Sequence, residues 1–117
     1  MLVQSQHPLS LTVLIDARNV LRSRWPNIPE DELMRLIDEW AAEKGVEPEI
    51  VFDGRAPEGG IGTGSESADD WIARRVGELT DTYWLVTSDR ELRERAGGGA
   101  ERLIGGGAFA SLLVGDR

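Results

Sequence analysis

Hydrophobic residues along the chain alternate between short continuous runs and longer stretches that repeat at helical spacing. The continuous runs are typical of strands buried on both faces, and they predict strands over residues 11–15, 49–52, 83–87 and 102–104. The amphipathic stretches and their capping residues predict helices over residues 30–44, 68–79, 89–96 and 108–114. Pro29 and Gly45 stand at the two ends of the longest of these helices, as start and stop signals.

Strands that alternate with helices are connected by right-handed crossovers, which make the strands parallel and place helices on both faces of the sheet. The sequence therefore predicts an α/β fold: a three-layer α/β/α domain with a central, mainly parallel sheet. The chain of 117 residues has the length of one domain. We expect a single domain over residues 1–117, with a flexible N-terminus over residues 1–9.

Composition narrows the chemistry that this domain can perform. Thirteen basic and 21 acidic residues give a net charge of −8, which disfavours sequence-independent binding to nucleic acid unless a bound metal ion supplies positive charge. The absence of cysteine excludes disulfides, Cys-ligated zinc and thiol nucleophiles, and the single histidine, His7, leaves no Ser–His–Asp mechanism. No apolar run reaches the roughly 18 residues of a membrane span. We expect a cytoplasmic protein with no membrane partner.

Acidic residues follow three of the predicted strands. Asp16, Asp53 and Asp89 stand at strand ends, and Asp69 lies in the first turn of the helix that follows a long loop over residues 54–66. In a parallel sheet, ligands bind in the crevice outside the carboxyl ends of the strands. Carboxylates that converge there repel one another, and an oxygen-only donor set suits Mg²⁺ or Mn²⁺.

Helix capping is an alternative explanation for some of these acids. Asp69, Asp70 and Asp89 each lie at the start of a predicted helix, where acids cap the helix or interact favourably with its dipole. Helical spacing separates the first two: Asp70 lies four residues before Arg74, which predicts a surface ion pair, whereas Asp69 shares the sheet-facing side with Ile72. A carboxylate on a buried face needs a partner, so Asp69 is the functional candidate.

Three other residues each allow two interpretations. Asn19, three residues after Asp16, either reaches into the same cleft or serves as a turn or cap residue. Asp53 either belongs to the site or only starts an Asp53-Gly54 turn. Trp25 either stacks on a nucleic-acid base or packs under a loop, and packing is the favoured interpretation.

Four short motifs, taken in order, resemble those of the NYN domains, a branch of the PIN-like ribonuclease superfamily. LIDARN (residues 14–19) is similar to their strand-end D-G-x-N signature, and VFDG (residues 51–54) to their second-strand F-D motif. SADDWI (residues 67–72) resembles their helix-opening A-D element, and VTSDREL (residues 86–92) their T-S-D element. The order and spacing are closest to the YacP-like group of bacterial NYN proteins, and the resemblance covers residues 11–113.

This resemblance implies a metal-dependent RNA endonuclease with a PIN-like fold. Asp16, Asp69 and Asp89 would bind Mg²⁺ or Mn²⁺ and, with Asn19, form the catalytic site, while Asp53 would lie at its edge as a further metal contact. The ion would lower the pKa of a bound water and neutralise charge on the scissile phosphate. The implied substrate is RNA, single-stranded or ribosome-associated, and the protein would act as a monomer or homodimer.

Several basic or hydroxyl-bearing residues fall near the same predicted sheet edge. We expect them to bind the phosphates that flank the scissile bond, and they are Arg18, Arg22, Arg55, Ser88 and Arg90.

Two other functions are compatible with the sequence. The first is a non-catalytic PIN-like module that docks on a ribosomal protein or another basic partner, which the net charge of −8 suits. The second is a receiver-like phosphoacceptor domain, which shares the length, the acidity and the clustered aspartates. Receiver domains require a lysine after a late strand, and Lys44, the only lysine, ends a predicted helix instead, so this alternative is the less favoured.

Overall fold

Five parallel strands form the central sheet of this computed structural model, which describes residues 11–115. In chain order they are β1 Thr12–Asp16, β2 Glu47–Phe52, β3 Ile61–Gly62, β4 Tyr83–Val86 and β5 Arg102–Ile104. Across the sheet they lie in the order β3-β2-β1-β4-β5, so the central strand β1 is hydrogen-bonded to both β2 and β4. The predicted parallel sheet is confirmed. The predicted flexible N-terminus, residues 1–9, lies outside the described residues.

Helices cover both faces of the sheet. They are α1 Ala17–Arg22, α2 Glu30–Lys44, α3 Ala68–Glu78, α4 Arg90–Ala96 and α5 Gly106–Val114. Side chains alternate along β1, so that Val13 and Ile15 pack with α1, α2 and α5, whereas Leu14 packs with α3 and α4 on the other face. This arrangement confirms the predicted three-layer α/β/α fold. Within residues 11–115, no helix has both the length and the apolar character needed to cross a membrane.

Helix α2 forms where the sequence predicts it, with the same first and last residues. Leu33 and Ile37, one turn apart, are fully buried against the sheet. Three acids in the first turn and Lys44 in the last complement the helix dipole. Gly45 ends the helix in the left-handed conformation, at φ 70°, and its N–H donates to the Ala41 carbonyl.

Two elements are absent from the sequence prediction. Helix α1 has only six residues, and its N-cap residue, Asp16, makes no side-chain capping hydrogen bond. Strand β3 has two residues and lies inside the predicted loop over residues 54–66, where Ile61 pairs with Val51 of β2. Both elements are too short to show a hydrophobic period. Tertiary contacts rather than local propensity hold them in place.

The strand order creates a switch point beside the central strand. From β1 the chain moves outward to β2 and β3, and it then crosses through α3 to β4 on the other side of β1. Connections therefore leave the C-terminal ends of β1 and β4 in opposite directions, which opens a crevice between them. Asp16 ends β1, and residues 87–89 follow β4 at this crevice.

Candidate functional site

Asp16 is a buried acid at the C-terminal end of the central strand. It lies on the same face of β1 as Leu14, toward α3 and α4, and is only 6% exposed. Thr87 Oγ1 donates a hydrogen bond of 2.9 Å to Asp16 Oδ2. Burial raises the pKa of the Asp16 carboxyl, and the negative charges of Asp69 and Asp53 raise it further, against the opposing effects of the Thr87 hydroxyl and the Asn19 backbone amide. The neighbouring charges thus disfavour the ionised form of Asp16.

Asp69 is in a similar environment at the start of α3. Its side chain is half-buried, and its pKa is raised first by desolvation and then by the charges of Asp89 and Asp53, while Arg95 lowers it. The four aspartates Asp16, Asp53, Asp69 and Asp89 are therefore close enough to act on one another through charge, and we refer to them as the acid cluster. This clustering at one sheet edge is what the strand-end positions predict.

Asp70, adjacent to Asp69, points to a different neighbour. It is exposed, and its Oδ1 lies 3.0 Å from Arg95 Nη1. The predicted ion pair between Asp70 and Arg74 is wrong, because Arg74 instead contacts Glu66 at 2.6 Å. The long arginine side chains reach partners on neighbouring segments, which helical spacing alone does not identify.

Asp89 is both a member of the acid cluster and a helix cap. Its Oδ1 accepts a hydrogen bond of 2.9 Å from Leu92 N, as N-cap of α4, so the capping explanation is confirmed for this residue. Asp69 does not cap α3, since that role belongs to Ser67, whose Oγ accepts from Asp70 N. Capping thus accounts for one oxygen of Asp89 and not for Asp69, whose place in the first turn of α3 still suits the helix dipole.

Thr87 connects two members of the acid cluster, a role that the sequence prediction missed. Its fully buried hydroxyl donates to Asp16 and accepts from Asp89 N at 3.1 Å. The Thr87 carbonyl accepts a hydrogen bond of 2.8 Å from Arg93 Nε. The sequence signal for this role is the place of the threonine between a buried strand and a capping acid, because a buried hydroxyl requires hydrogen-bond partners.

Asp53 ties the end of β2 to the start of α3. Its Oδ1 accepts a hydrogen bond of 2.8 Å from Ala68 N, and its Oδ2 lies 3.5 Å from Arg18 Nε. The next residue, Gly54, has φ 72° where the backbone bends after β2, a conformation that favours glycine. Asp53 therefore contributes charge to the acid cluster while both of its oxygens already contact the protein.

Asn19 and Ser88 hold together three segments around the site. Asn19 Oδ1 accepts a hydrogen bond of 2.8 Å from Ser88 N, and Ser88 Oγ accepts one of 2.8 Å from Gly106 N at the start of α5. A side chain on Gly106 would collide with Asn19 Oδ1 and with the Asn19 backbone. Asn19 thus reaches the predicted cleft, where its carbonyl oxygen positions the segment after β4. The role of Gly106 was missed, and the glycine run at residues 105–107 was its only signal.

The predicted phosphate-binding arginines are all exposed, and they follow strand ends. Arg18 contacts Asp53 directly, and Arg22 lies one turn further along α1. The backbone of Arg55 packs against Gly62 of β3, and Arg90 is the first residue of α4. Of these four arginines, the structure therefore brings Arg18 to the acid cluster itself.

The acid cluster has the chemistry of a hard-cation site without a ready-made coordination geometry. In the part of the chain that the structure describes, no group of three or more acidic, histidine or cysteine side chains is arranged to hold a metal ion. The donors are carboxylate oxygens alone, the type that Mg²⁺ and Mn²⁺ prefer. The residues present suit such an ion chemically, and ligation requires their oxygens to draw together.

Comparisons of the chain with protein-family models, with curated proteins and with solved structures give no match. The resemblance to the NYN domains therefore stays a prediction that rests on the four motifs.

Proposed function

We propose that this protein is a metal-dependent endoribonuclease that hydrolyses RNA phosphodiester bonds at the crevice between β1 and β4. The observation that supports the proposal is the environment of Asp16, a buried carboxyl whose neighbours Asp69 and Asp53 both raise its pKa. Acids that face one another in a partly buried crevice cost folding free energy, and a bound cation removes that cost. Perturbed acids in a crevice are typical of functional sites.

Asp16, Asp69 and Asp89 are the residues that would hold Mg²⁺ or Mn²⁺. When bound, such an ion supplies a water of lowered pKa and neutralises charge on a phosphate. Thr87 fixes Asp16 Oδ2, and the cap to Leu92 fixes Asp89 Oδ1, so each side chain presents its remaining oxygen from a defined position. Asp69 reaches the same crevice from the first turn of α3.

Substrate positioning would fall to arginine and to the segment after β4. Arg18, beside Asp53, and the exposed Arg22 can each donate bidentate hydrogen bonds to phosphate oxygens. Arg55, Arg90 and the hydroxyl of Ser88 would contact phosphates on either side. Because Asn19 fixes the Ser88 backbone, it holds the segment that carries Asp89.

The direct test is cleavage of an end-labelled single-stranded RNA with Mn²⁺ or Mg²⁺ present and with EDTA as the metal-free control. We expect cleavage that depends on the divalent ion and that falls by at least about 100-fold in Asp16→Asn, since loss of a metal ligand removes several kcal/mol of transition-state stabilisation. Asparagine keeps the size of the side chain and can still accept a hydrogen bond from Thr87.

The matched control is Arg35→Ala on the exposed face of α2, where Arg35 contacts Glu32 and Glu39. This variant is expected to cleave RNA at the wild-type rate. Undiminished cleavage by Asp16→Asn would contradict the assignment of the site. An inactive wild-type protein that binds no divalent ion would favour the non-catalytic docking module instead.

A further inference from the structure

The segment between α1 and α2 carries a tryptophan that the fold leaves in solvent. Trp25 is 87% exposed, so the expectation that it packs under a loop is wrong. The other large apolar side chains among the exposed residues of the described chain are much less open, at 45% or below. A fully solvated indole gains nothing for folding from its apolar surface. Its position therefore suits a contact with a binding partner.

Two arginines on α1 connect the acid cluster to this tryptophan. Arg18 and Arg22 are four residues apart and both exposed, so they lie on one face of the helix, opposite the buried residues Ala17 and Val20. Arg18 starts this row at Asp53. Trp25 follows α1 by three residues, so Arg18, Arg22 and Trp25 succeed one another along the chain as it leads away from the acid cluster.

The length of this row suits a short piece of a nucleic-acid strand. Helix α1 has six residues, which corresponds to about 9 Å at 1.5 Å per residue. Three further residues add at most about 3.5 Å each, which keeps the Trp25 backbone within roughly 20 Å of Asp16. A few nucleotides of an extended strand can therefore span the two positions.

The surroundings of Arg22 differ from those of three other arginines in the protein. Arg35, Arg74 and Arg75 each contact at least one glutamate, in a chain with a net charge of −8. Arg22 instead lies exposed three residues before the solvated Trp25. Arginine interleaved with an exposed aromatic is the combination that binds single strands, with the cation on phosphates and the ring stacked on a base.

We propose that Arg18, Arg22 and Trp25 form a binding surface for single-stranded RNA, in which Trp25 stacks on an unpaired base and the arginines hold the phosphates between that base and the acid cluster. This inference rests on the proposed nuclease function and assigns the residues that would recognise a single strand. Bases in a duplex are stacked and paired, so they are not available to Trp25. The surface therefore selects single strands over duplexes.

The test measures binding in EDTA, where no cleavage occurs. A fluorescently labelled oligouridine is titrated with the wild-type protein at low ionic strength, and its anisotropy gives the affinity. We expect Trp25→Ala to weaken binding about tenfold and Trp25→Phe to retain most of it, because stacking needs an aromatic ring. Arg22→Ala is expected to weaken binding and to reduce its dependence on salt by about one phosphate contact.

Two variants and one ligand serve as controls. Leu112→Ala removes an exposed apolar side chain on α5, and Arg35→Ala removes an exposed arginine on α2, so neither is expected to change the affinity. A duplex RNA of the same length is expected to bind equally to wild type and Trp25→Ala.

Equal affinity of wild type and Trp25→Ala for oligouridine would overturn the inference and leave Trp25 as a contact for a protein partner. A wild-type protein without affinity for the oligonucleotide would overturn it as well. The proposed function fails separately: a wild type that binds oligouridine through Trp25 but does not cleave it with Mn²⁺ supports the binding surface and contradicts the nuclease. Cleavage by the wild type together with unchanged affinity in Trp25→Ala would support the nuclease and contradict the binding surface.

Discussion

Away from the end of β1, acidic side chains such as Glu39, Glu49 and Glu66 lie against arginines, whereas Asp16 at the end of β1 lies against other acids. Glu49 illustrates the first region: its two oxygens accept hydrogen bonds of 2.9 and 2.8 Å from Arg75, which raises the pKa of the guanidinium. Asp16 illustrates the second, since burial and then the charges of Asp69 and Asp53 raise its own pKa. Both are carboxylates next to the sheet, and they differ in the sign of the charge that each one faces.

This difference separates charges that serve the fold from charges that serve a ligand. A half-buried bidentate pair such as Glu49 and Arg75 stabilises the native state. The charges of Asp16 and Asp69 destabilise it, because desolvation and like-charge repulsion act on both in the same direction. Proteins retain such costs mainly where function requires them. The acid cluster, rather than any surface acid, is therefore the centre of the proposed chemistry.

The adjacent residues Asp69 and Asp70 represent an acid of the cluster and a surface acid. We expect Asp69→Asn to reduce metal-dependent RNA cleavage by at least about 100-fold, because it removes an acid of the cluster. Asp70→Asn is expected to stay within about twofold of wild type, since Asp70 is exposed and contacts Arg95. Initial cleavage rates at saturating Mn²⁺ measure both. Equal losses of cleavage rate in the two variants would contradict a special role for the acid cluster.

A second pair of variants tests how firmly the surrounding segments hold the site. Gly106→Ala is expected to lower the free energy of unfolding by about 2 kcal/mol, because the new methyl group collides with Asn19 and displaces α5 from α1. Gly107→Ala is the control, since its methyl group meets Ser23 at an ordinary contact distance of 3.8 Å. Urea denaturation measures both free energies. A loss in Gly107→Ala as large as that in Gly106→Ala would contradict this role of Asn19.

Neutralising Asp16 and neutralising Glu49 are expected to change the free energy of unfolding in opposite directions. At pH 7 and without metal, Asp16→Asn is expected to raise the free energy of unfolding by about 1 kcal/mol, because it removes a desolvated and repelled charge. Glu49→Gln is expected to lower it by about the same amount, because it breaks a bidentate pair with Arg75. Urea denaturation of the two variants should give changes of opposite sign, and changes of equal sign would remove the distinction between the two regions.

The pH dependence of the Asp16 effect follows from the direction of its pKa shift. The pKa of Asp16 in the folded protein lies above its ordinary value of 3.8, so its charge opposes folding at neutral pH. As the pH falls through the folded pKa, protonation relieves that cost, and the stability advantage of Asp16→Asn should shrink. An advantage that grows as the pH falls would show that the carboxylate of Asp16 stabilises the fold.

The long elements of the fold could be predicted from the sequence because their signals are local. Helix α2 has both a continuous apolar face and end signals at Pro29 and Gly45, and its predicted bounds are correct. Strand β1 was placed within one residue at each end, as a short aliphatic run. Helix α1 and strand β3 escaped prediction because long-range contacts, such as that of Asn19 with Ser88, hold them in place.

The sequence predicts where the acids of the candidate site lie, but it does not predict which atoms they contact. Strand ends placed Asp16 and Asp89 at the same edge, and helical spacing separated Asp69 from Asp70. The partners of Asp53 and the hydroxyl bridge of Thr87 depend on how the loops meet in space. The exposure of Trp25 likewise follows from the path of the chain between α1 and α2, for which the sequence has no periodic signal.

Calorimetric titration with Mn²⁺ measures whether the acid cluster binds a divalent cation. We expect saturable binding to the wild type and to Asp70→Asn, and binding weakened by more than about tenfold in Asp16→Asn. Absence of binding to the wild type, or equal affinity in Asp16→Asn, would contradict this expectation.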